Sequence, residues 1–269
     1  SNLKAILAKN KELDLARLAR TISWSDNDSK RIEVAIVAKD LADLAQKVDN
    51  ALRSKLSGKG VYFASAQPAS NGKIAVLFSG QGSQSLNMGA EIFNAFPQTR
   101  KYLEMGRKWL PAIFPRGADE GADEILKQTG NTQPALGIVD LAFYDLVQSL
   151  GINADMLGGH SYGELVALCA AGSISAEDLM TLSEARAAAI ETAAVGKPGA
   201  MAAATAPLAA VEAAIKGLDV GVANHNAPMQ VVISGAADAI ERAIIHLKAT
   251  GITAKKIPVS CAFHSPLLA

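Results

Sequence analysis

The sequence predicts an α/β protein with a larger part built on a parallel sheet and a smaller part inserted into it. Residues 73–78 (KIAVLF) form a short apolar run that ends in a Ser-Gly loop, as a buried parallel strand does. Residues 200–260 alternate apolar runs with helical patterns in the order βαββαβ. A chain of 269 residues is long enough for one main core and a smaller unit beside it.

The composition is that of a globular protein and excludes two classes of partner. Hydrophobic residues make up 49% and charged residues 19%, which is too apolar for a mostly disordered chain. The 26 basic and 26 acidic side chains cancel, and no basic cluster exceeds the pairs Lys30-Arg31 and Lys255-Lys256. We therefore expect no nucleic acid partner. Residues 187–215, the longest apolar stretch, are broken by Lys and Pro, and the first residues lack a secretory pattern, so we expect no membrane partner.

The cysteine content indicates the compartment. Cys169 and Cys261 are too few for a disulfide framework, which favours a reducing, cytoplasmic location. Neither has the neighbouring cation or helix start that clearly lowers a thiol pKa. Both are therefore expected to be core residues and not nucleophiles.

The first predicted unit covers residues 1–70. Apolar residues at helical spacing predict helices over residues 3–18 and 41–52, with a strand over residues 32–38 between them. Residues 65–72 are rich in Ser, Ala, Pro, Asn and Gly, which is typical of a linker. The sequence thus predicts a small α/β unit joined to the rest of the chain by this linker.

The larger part follows over residues 71–199. After the strand at 73–78, a nearly all-apolar pattern predicts a helix over residues 134–150. A Gly-rich turn at residues 158–164 then leads into an Ala/Leu-rich helix that ends near residue 171. Loops at the carboxyl ends of parallel strands are where α/β proteins place their sites.

The smaller part is predicted over residues 200–260. Its order of strand, helix, strand, strand, helix, strand is the ferredoxin-like arrangement. The predicted ranges are 201–205, 208–215, 220–223, 230–234, 237–249 and 254–259. Residues 261–269 are expected to return to the site in the larger part.

Residues 159–163 (GHSYG) match the G-x-S-x-G pattern of a nucleophile elbow. Its glycines allow a tight strand-to-helix turn that lifts the oxygen of Ser161 clear of the backbone. The start of the next helix offers its dipole and the N–H of Tyr162 to a developing oxyanion. The pentapeptide alone fits a glycine-rich turn with a helix-capping serine about as well.

A second Gly-rich loop, GQGSQ at residues 80–84, follows the first predicted strand of the larger part. Its backbone N–H groups are able to face a ligand at the same sheet edge as Ser161, although an ordinary turn explains the residues too. The loop lacks the G-K-[ST] ending of a phosphate-binding P-loop.

Four motifs occur together and in order: FSGQGSQ at residues 78–84, TQPAL at 132–136, GHSYGE at 159–164 and AFHSP at 262–266. In this combination the chain resembles malonyl-CoA:acyl carrier protein transacylases and the acyltransferase domains of polyketide, polyunsaturated fatty acid and fatty acid synthases. The tyrosine of GHSYGE is most similar to the iterative polyunsaturated fatty acid or enediyne class. The resemblance implies an α/β-hydrolase-like large subdomain with an inserted ferredoxin-like small subdomain.

The resemblance covers residues 73–269 and extends, more loosely, to the chain before them. Residues 15–70 look like the linker that joins a ketosynthase to the acyltransferase in such synthases, which makes a neighbouring ketosynthase an expected partner. The family also places the group that orients its histidine downstream of His-Ser-Pro. We therefore expect a C-terminal remainder beyond residue 269.

The resemblance implies a catalytic pair. Ser161 corresponds to the nucleophile and His264 to the general base, a role that suits histidine because its pKa lies near neutral pH. The backbone N–H groups of Gln81 and Tyr162 would form the oxyanion hole. Taken alone, His264 would more often be a surface or hydrogen-bonded histidine.

Arg186 matches the arginine with which the family holds the free carboxylate of malonyl or methylmalonyl groups. A guanidinium grips a carboxylate with two parallel hydrogen bonds, which a lysine does not reproduce. Taken alone, Arg186 would be a solvated helix charge, paired with Glu184 or Glu191 or with nothing.

Three further residues are implied as substrate contacts. Phe263 stands where malonyl-selective members commonly carry phenylalanine, which favours malonyl over methylmalonyl, although Cys261 replaces the histidine that usually begins that tetrad. His160 resembles the family's substrate-contacting or structural histidine. Asn226, with Asn224, matches an asparagine-bearing loop near the cleft, and turn chemistry explains these residues nearly as well.

The implied reaction is an exchange between two thioesters. Ser161 takes the malonyl group from malonyl-CoA, coenzyme A leaves, and the phosphopantetheine thiol of an acyl carrier protein accepts the group. No metal or other cofactor is implied, because the substrates carry coenzyme A and phosphopantetheine themselves. Two alternatives stay open: a serine hydrolase or thioesterase-like editing domain, and an inactive scaffold domain.

Overall fold

The structure is a computed structural model that describes residues 2–9, 14–24, 33–53, 58–64, 72–117, 120–257, 259 and 261–268. The chain divides into two compact units, Ser1–Gly72 and Lys73–Ala269. Within the described ranges, no helix is both long and apolar enough to cross a membrane.

The first unit combines helices with a two-stranded antiparallel sheet. Its elements are α1 (Asn2–Lys9), α2 (Leu15–Trp24), β1 (Val34–Ile36), α3 (Leu41–Arg53) and β2 (Val61–Phe63). Val34 of β1 lies opposite Phe63 of β2. Leu18, Leu44 and Val48 form the buried core of this unit, because they recur on the apolar faces of their helices.

The first unit differs from its prediction in three places, and the first is β1, which covers only residues 34–36 of the predicted 32–38. The helix predicted over residues 3–18 is two helices, and residues 10–13 lie outside the described residues. Strand β2 was not predicted, because three residues are too few to show a period. Residues 65–71 of the predicted linker also lie outside the described residues.

The larger part of the second unit sets two parallel strands against helices. Strand β3 (Ala75–Phe78) pairs in parallel with β4 (Met156–Gly159), and Phe78 lies opposite Gly159. The helices are α4 (Ala90–Ala95), α5 (Arg100–Met105), α6 (Leu110–Ile113), α7 (Ala122–Lys127), α8 (Thr129–Ser149), α9 (Gly163–Ala170) and α10 (Ala176–Ala194). The predicted α/β class with a parallel sheet is confirmed.

Helix α8 forms the centre of this core and is longer than predicted. It starts at Thr129, five residues before the predicted start at Pro134. Thr132 and Gln133 in the added turn have no exposed surface, so tertiary packing holds a turn whose polar residues gave no helical signal. Ile138, further along α8, is fully buried as well.

Helix α10 has the clearest local start signal in the chain. Ser175 Oγ accepts a hydrogen bond from the Asp178 N–H at 3.0 Å, and the Asp178 carboxylate accepts one from the Ser175 N–H at 3.3 Å. This capping box satisfies two N–H groups that the first turn would otherwise leave free.

The smaller part is a four-stranded antiparallel sheet covered by two helices. Its elements are β5 (Gly199–Thr205), α11 (Leu208–Ile215), β6 (Val220–Ala227), β7 (Gln230–Ala236), α12 (Ala237–Ala249) and β8 (Thr253–Ile257). The strand order β6-β7-β5-β8 is that of the predicted ferredoxin-like arrangement. Ala200, Ala202 and Ala204 face the helices at the period of two that a strand imposes.

Strand β6 extends four residues beyond its predicted end at residue 223. Its pairing with β7 shifts register between Val222 and Asn224 and again between His225 and Ala227. Such irregularities redirect side chains. Asn226 therefore lies on strand β6, whereas the sequence had suggested that it lies in a loop.

Candidate active site

Ser161 lies in the sharp turn between β4 and α9. Its φ of 53° is left-handed, a conformation that non-glycine residues seldom adopt. A Cβ atom on Gly159 would lie 2.0 Å from the carbonyl carbon of Gly163, and one on Gly163 would lie 2.3 Å from the carbonyl oxygen of Phe78. Only glycines therefore allow the turn to pack this closely, and the turn presents Ser161 at the carboxyl edge of the sheet.

His264 lies near the C-terminal end of the second unit and contacts Ser161, which lies in the middle of that unit's sequence. Its Nε2 lies 2.9 Å from Oγ of Ser161. The segment that carries it is anchored by Cys261, Ala262 and Phe263, which are all buried. His264 also has a left-handed φ, 56°, so the packed segment holds the backbone of this residue in a strained conformation.

The surroundings of His264 favour its neutral form. Burial lowers its pKa below the ordinary histidine value, and electrostatic interactions with Arg186 and His160 lower it further, while Glu164 opposes them. A neutral imidazole is able to take a proton from Ser161. Among the described residues nothing hydrogen-bonds Nδ1 of His264, and the orienting group expected downstream stays a prediction.

The predicted oxyanion donors lie at the edge of the parallel strands. Within the described residues, neither the N–H of Gln81 nor that of Tyr162 donates to a backbone carbonyl. The Gln81 side chain is held at both ends, because its Nε2 lies 3.5 Å from Thr129 Oγ1 and its Oε1 accepts from Gln133 Nε2 at 3.4 Å. Neither N–H group is therefore used by the described backbone, as the predicted role in an oxyanion hole requires.

A cavity of about 330 Å³ opens beside His264. Its lining residues are Arg186, Ala189, Ile190, Phe263, His264, Ser265 and Leu268. The walls are mostly apolar and carry one cation, the Arg186 guanidinium. Such a composition suits a ligand with a short apolar body and one negative charge.

Arg186 is half-buried in this cavity, and burial lowers the pKa of its guanidinium. Glu184 forms an ion pair with Lys108, and Glu191 accepts a hydrogen bond from the N–H of Gly130 at 3.2 Å. In the described part of the chain Arg186 has no ion pair, so of the three alternatives for this helix charge, Glu184, Glu191 or no partner, the structure agrees with the last. A partly desolvated cation without a partner favours an anionic ligand.

The other three predicted substrate contacts lie in two places: Phe263 lies at the cavity, and His160 and Asn226 lie between the elbow and β6. Phe263 is 9% exposed, belongs to a buried cluster with Met201 and Val232, and lines the cavity. His160 and Asn226 are joined by a 3.2 Å hydrogen bond between Nε2 and Oδ1, which links the elbow to β6. Both side chains are exposed. Asn226 therefore contacts the residue before the nucleophile.

Sequence reasoning missed three residues around the site. Gln133 lies within the TQPAL motif, which was recognised without a role for its polar side chain. Ser183 hydrogen-bonds the Tyr162 hydroxyl at 2.7 Å, and nothing in the sequence pairs these two positions. Asp140 of α8 is a buried carboxyl that Ser79 hydrogen-bonds, and burial raises its pKa to about 6. Its position in an apolar helix pattern was the available signal.

Comparison with known proteins shows the family of this chain. The family model described as "Acyl transferase domain" matches residues 76–269. Polyketide synthase GfsA of Streptomyces halstedii is 34% identical over 233 residues, which is 81% of this chain and 3% of that protein. The malonyl CoA-acyl carrier protein transacylase of Bacillus subtilis (strain 168) is 36% identical over 203 residues, 73% of this chain and 64% of that one.

The fold is shared with solved structures as well. The acyltransferase domain from the second module of the salinomycin polyketide synthase superposes with a TM-score of 0.76 at 31% identity, covering 94% of this chain and 63% of the other. The chain thus spans less than two thirds of each of these relatives. Because the family model covers most of its length, the chain belongs to the acyl transferase domain family.

Proposed function

We propose that this chain transfers a malonyl group from malonyl-CoA, through an ester on Ser161, to the phosphopantetheine thiol of an acyl carrier protein. One observation carries the proposal. Ser161 Oγ lies 2.9 Å from a neutral His264, beside a cavity that holds the partnerless Arg186. A nucleophile, a base and a cation for the acyl group are thereby within one site.

The first half-reaction follows from this arrangement. His264 Nε2 takes the proton as Ser161 Oγ attacks the thioester carbonyl, and the oxyanion accepts hydrogen bonds from the N–H groups of Gln81 and Tyr162. The carbon–sulfur bond then breaks, and coenzyme A leaves with the proton from His264. In the second half-reaction the carrier thiol repeats these steps in reverse, and Ser161 is regenerated.

The cavity supports a dicarboxylic acyl group. A free carboxylate would form two charge-assisted hydrogen bonds with Arg186, and an acetyl group would leave that cation unpaired. Phe263 lines the same cavity as Arg186, and a bulky ring close to the α-carbon of the acyl group would exclude a methyl branch by overlap. Malonyl is therefore the favoured substrate, ahead of methylmalonyl.

The partners in this proposal follow from family membership. The B. subtilis relative is named for malonyl-CoA and an acyl carrier protein, and GfsA is a far longer polyketide synthase. We propose a carrier protein as acceptor, and the first unit, Ser1–Gly72, as the linker to a neighbouring ketosynthase. Acyl exchange between thioesters is redox-neutral, so the proposed reaction needs no cofactor beyond the substrates' own arms.

Intact-mass spectrometry after brief exposure to malonyl-, methylmalonyl- and acetyl-CoA tests the proposal. We expect one malonyl adduct, located at Ser161, that forms faster than the other two and persists until a carrier thiol is added. An adduct that water clears at once would instead indicate a hydrolase. No adduct from any donor would indicate a scaffold domain.

A further inference from the structure

A buried chain of hydroxyl groups joins the nucleophile elbow to the helix that carries Arg186. Tyr162 and Ser183 have no exposed surface, and Oη of Tyr162 lies 2.7 Å from Oγ of Ser183. Ser183 Oγ lies in turn 2.6 Å from the carbonyl oxygen of Leu179, one turn earlier on α10. None of these atoms takes part in the acyl-transfer steps described above.

The direction of the two hydrogen bonds follows from the number of protons. A carbonyl oxygen only accepts, so the single hydroxyl proton of Ser183 goes to Leu179. The contact between Tyr162 and Ser183 therefore uses the tyrosine proton, and Tyr162 is the donor. Burial raises the pKa of the Tyr162 phenol well above its ordinary value, so the phenol keeps this proton at neutral pH.

Helix α8 also packs closely against the Tyr162 hydroxyl, at Gly137. A Cβ atom on Gly137 of α8 would lie 2.6 Å from Oη of Tyr162 and 2.9 Å from Cε of Met180. Any side chain at position 137 would therefore displace the hydroxyl. The elbow, α8 and α10 meet at this one oxygen.

The place of Ser183 on α10 connects this bond to the cavity. Arg186 follows Ser183 by three residues, so the two side chains lie on the same side of the helix about one turn apart. The Tyr162 phenol and the Arg186 guanidinium are close enough to perturb each other electrostatically. Tyr162 thus offers its backbone N–H to the oxyanion site and its side chain to the helix of the cation.

We infer that the Tyr162–Ser183 hydrogen bond positions Arg186 relative to Ser161 and thereby sets the preference for acyl groups with a free carboxylate. This inference rests on the proposed function. Both side chains are positioning residues, because they are buried and act through α10. A small displacement of α10 weakens a two-bond carboxylate contact, whereas an acetyl group makes no such contact.

The test compares the rates of acyl-enzyme formation from malonyl-CoA and acetyl-CoA in the full chain. The variants are Tyr162→Phe, which keeps the ring and removes the donor, Ser183→Ala, and the double variant. We expect the malonyl-to-acetyl rate ratio to fall about 3- to 10-fold in each single variant, the range of one neutral hydrogen bond. The double variant should show the same fall, because the bond is lost only once.

Thermal unfolding gives an independent signature of the pair. Ser183→Ala leaves the Tyr162 hydroxyl buried without its acceptor, so its unfolding midpoint should fall most. The double variant removes the stranded donor and should regain part of that loss.

Three further variants separate positioning from stability. Ser234→Ala removes another buried hydroxyl, one that has no hydrogen-bond partner in the described structure, and should leave the rate ratio unchanged. Ser183→Thr keeps a hydroxyl that is able to bond the same carbonyl and should retain the wild-type ratio. Gly137→Ala should lower the ratio without removing any polar group.

The outcomes distinguish the inference from the function beneath it. An unchanged ratio in Ser183→Ala and Tyr162→Phe, with normal malonyl labelling of the wild type, would overturn the inference and leave the proposed function standing. A wild type that forms no acyl-enzyme would overturn both. If Tyr162→Phe does not fold, the comparison of Ser183→Ala with Ser183→Thr decides: equal ratios contradict the inference.

Discussion

Ser161 and His264 stand 103 positions apart in the chain, yet Oγ and Nε2 lie 2.9 Å from each other and both residues have a left-handed φ. Two strained residues that meet in this way are expected where the surrounding packing serves a reaction. The close packing of the elbow glycines holds Ser161 in place, and the buried segment 261–263 holds His264.

Replacement of either member of this pair should impair acylation, but to different extents. Ser161→Ala removes the attacking oxygen and should abolish malonyl labelling, whereas His264→Ala should slow it about 10²- to 10⁴-fold by removing the base. Intact mass against time measures both. Ser149→Ala, at the end of α8, is the matched control and should label normally. Full labelling of Ser161→Ala would exclude the mechanism.

Removal of the cavity cation should change the choice of substrate. Arg186→Ala should slow acylation by malonyl-CoA about 10- to 100-fold, the range of a charge-assisted contact, and alter acetyl-CoA acylation little. Arg186→Lys should recover only part of the loss, because an ammonium does not bind both carboxylate oxygens in one plane. Arg242→Ala, an exposed arginine of α12, serves as the control. Equal losses for the two donors would contradict the carboxylate role.

The same cation should contribute to the position of the acid limb of the pH profile. Burial lowers the pKa of His264, and Arg186 is the next largest cause. His264 acts as a base when neutral, so activity should rise with pH through a value below that of an ordinary histidine. Arg186→Ala removes one of the lowering charges and should move the limb to higher pH. The rate of acylation by acetyl-CoA is measured from pH 4 to 8, because this donor has no free carboxylate to bind Arg186. If the wild type and Arg186→Ala show the same acid limb, Arg186 does not affect the pKa of His264.

Asp140 should make stability depend on pH. Burial raises its pKa from 3.8 to about 6 in the folded state. The folded protein then binds this proton more tightly, so the stabilisation is complete below about pH 4 and is lost as the pH rises through about 6. The loss is at most about 3 kcal/mol, and less where water reaches the carboxyl.

Asp140→Asn removes this titration and keeps an acceptor for Ser79. Urea unfolding should therefore show the variant as the more stable protein at pH 8 and should show a smaller difference at pH 4. Equal free energies of unfolding at pH 8 would mean that the carboxyl is solvated in the folded state.

Close packing at the elbow should make Gly163 intolerant of substitution, as it should Gly159. Gly163→Ala would place Cβ 2.3 Å from the carbonyl oxygen of Phe78, and we expect it to destabilise the fold by more than about 2 kcal/mol. Gly221→Ala is the control, because a Cβ atom there meets nothing within 4 Å. Thermal unfolding compares the two, and equal midpoints would contradict the packing argument.

Much of the architecture could be predicted because local patterns are strong where elements are regular. The helices Leu208–Ile215 and Ala237–Ala249 begin and end as predicted, since their apolar faces repeat at helical spacing. The short helices between Ala90 and Lys127 were not predicted, because four to six residues are too few to show that period. Strand β6 ran past its predicted end because pairing with β7, and not propensity, decides where an edge strand stops.

The sequence by itself determined the family motifs, in which Gln81, Ser161 and His264 were recognised by residue type and by the order of the motifs along the chain. Arg186 lies in none of these motifs and was matched by its position 25 residues after Ser161. Only the tertiary structure decided that Arg186 has no partner among the described residues, that Asn226 binds His160, and that Tyr162 donates to Ser183. Which side chains form hydrogen bonds or ion pairs with each other depends on distances between segments that are far apart in the chain. Those distances arise from packing, which no local pattern encodes.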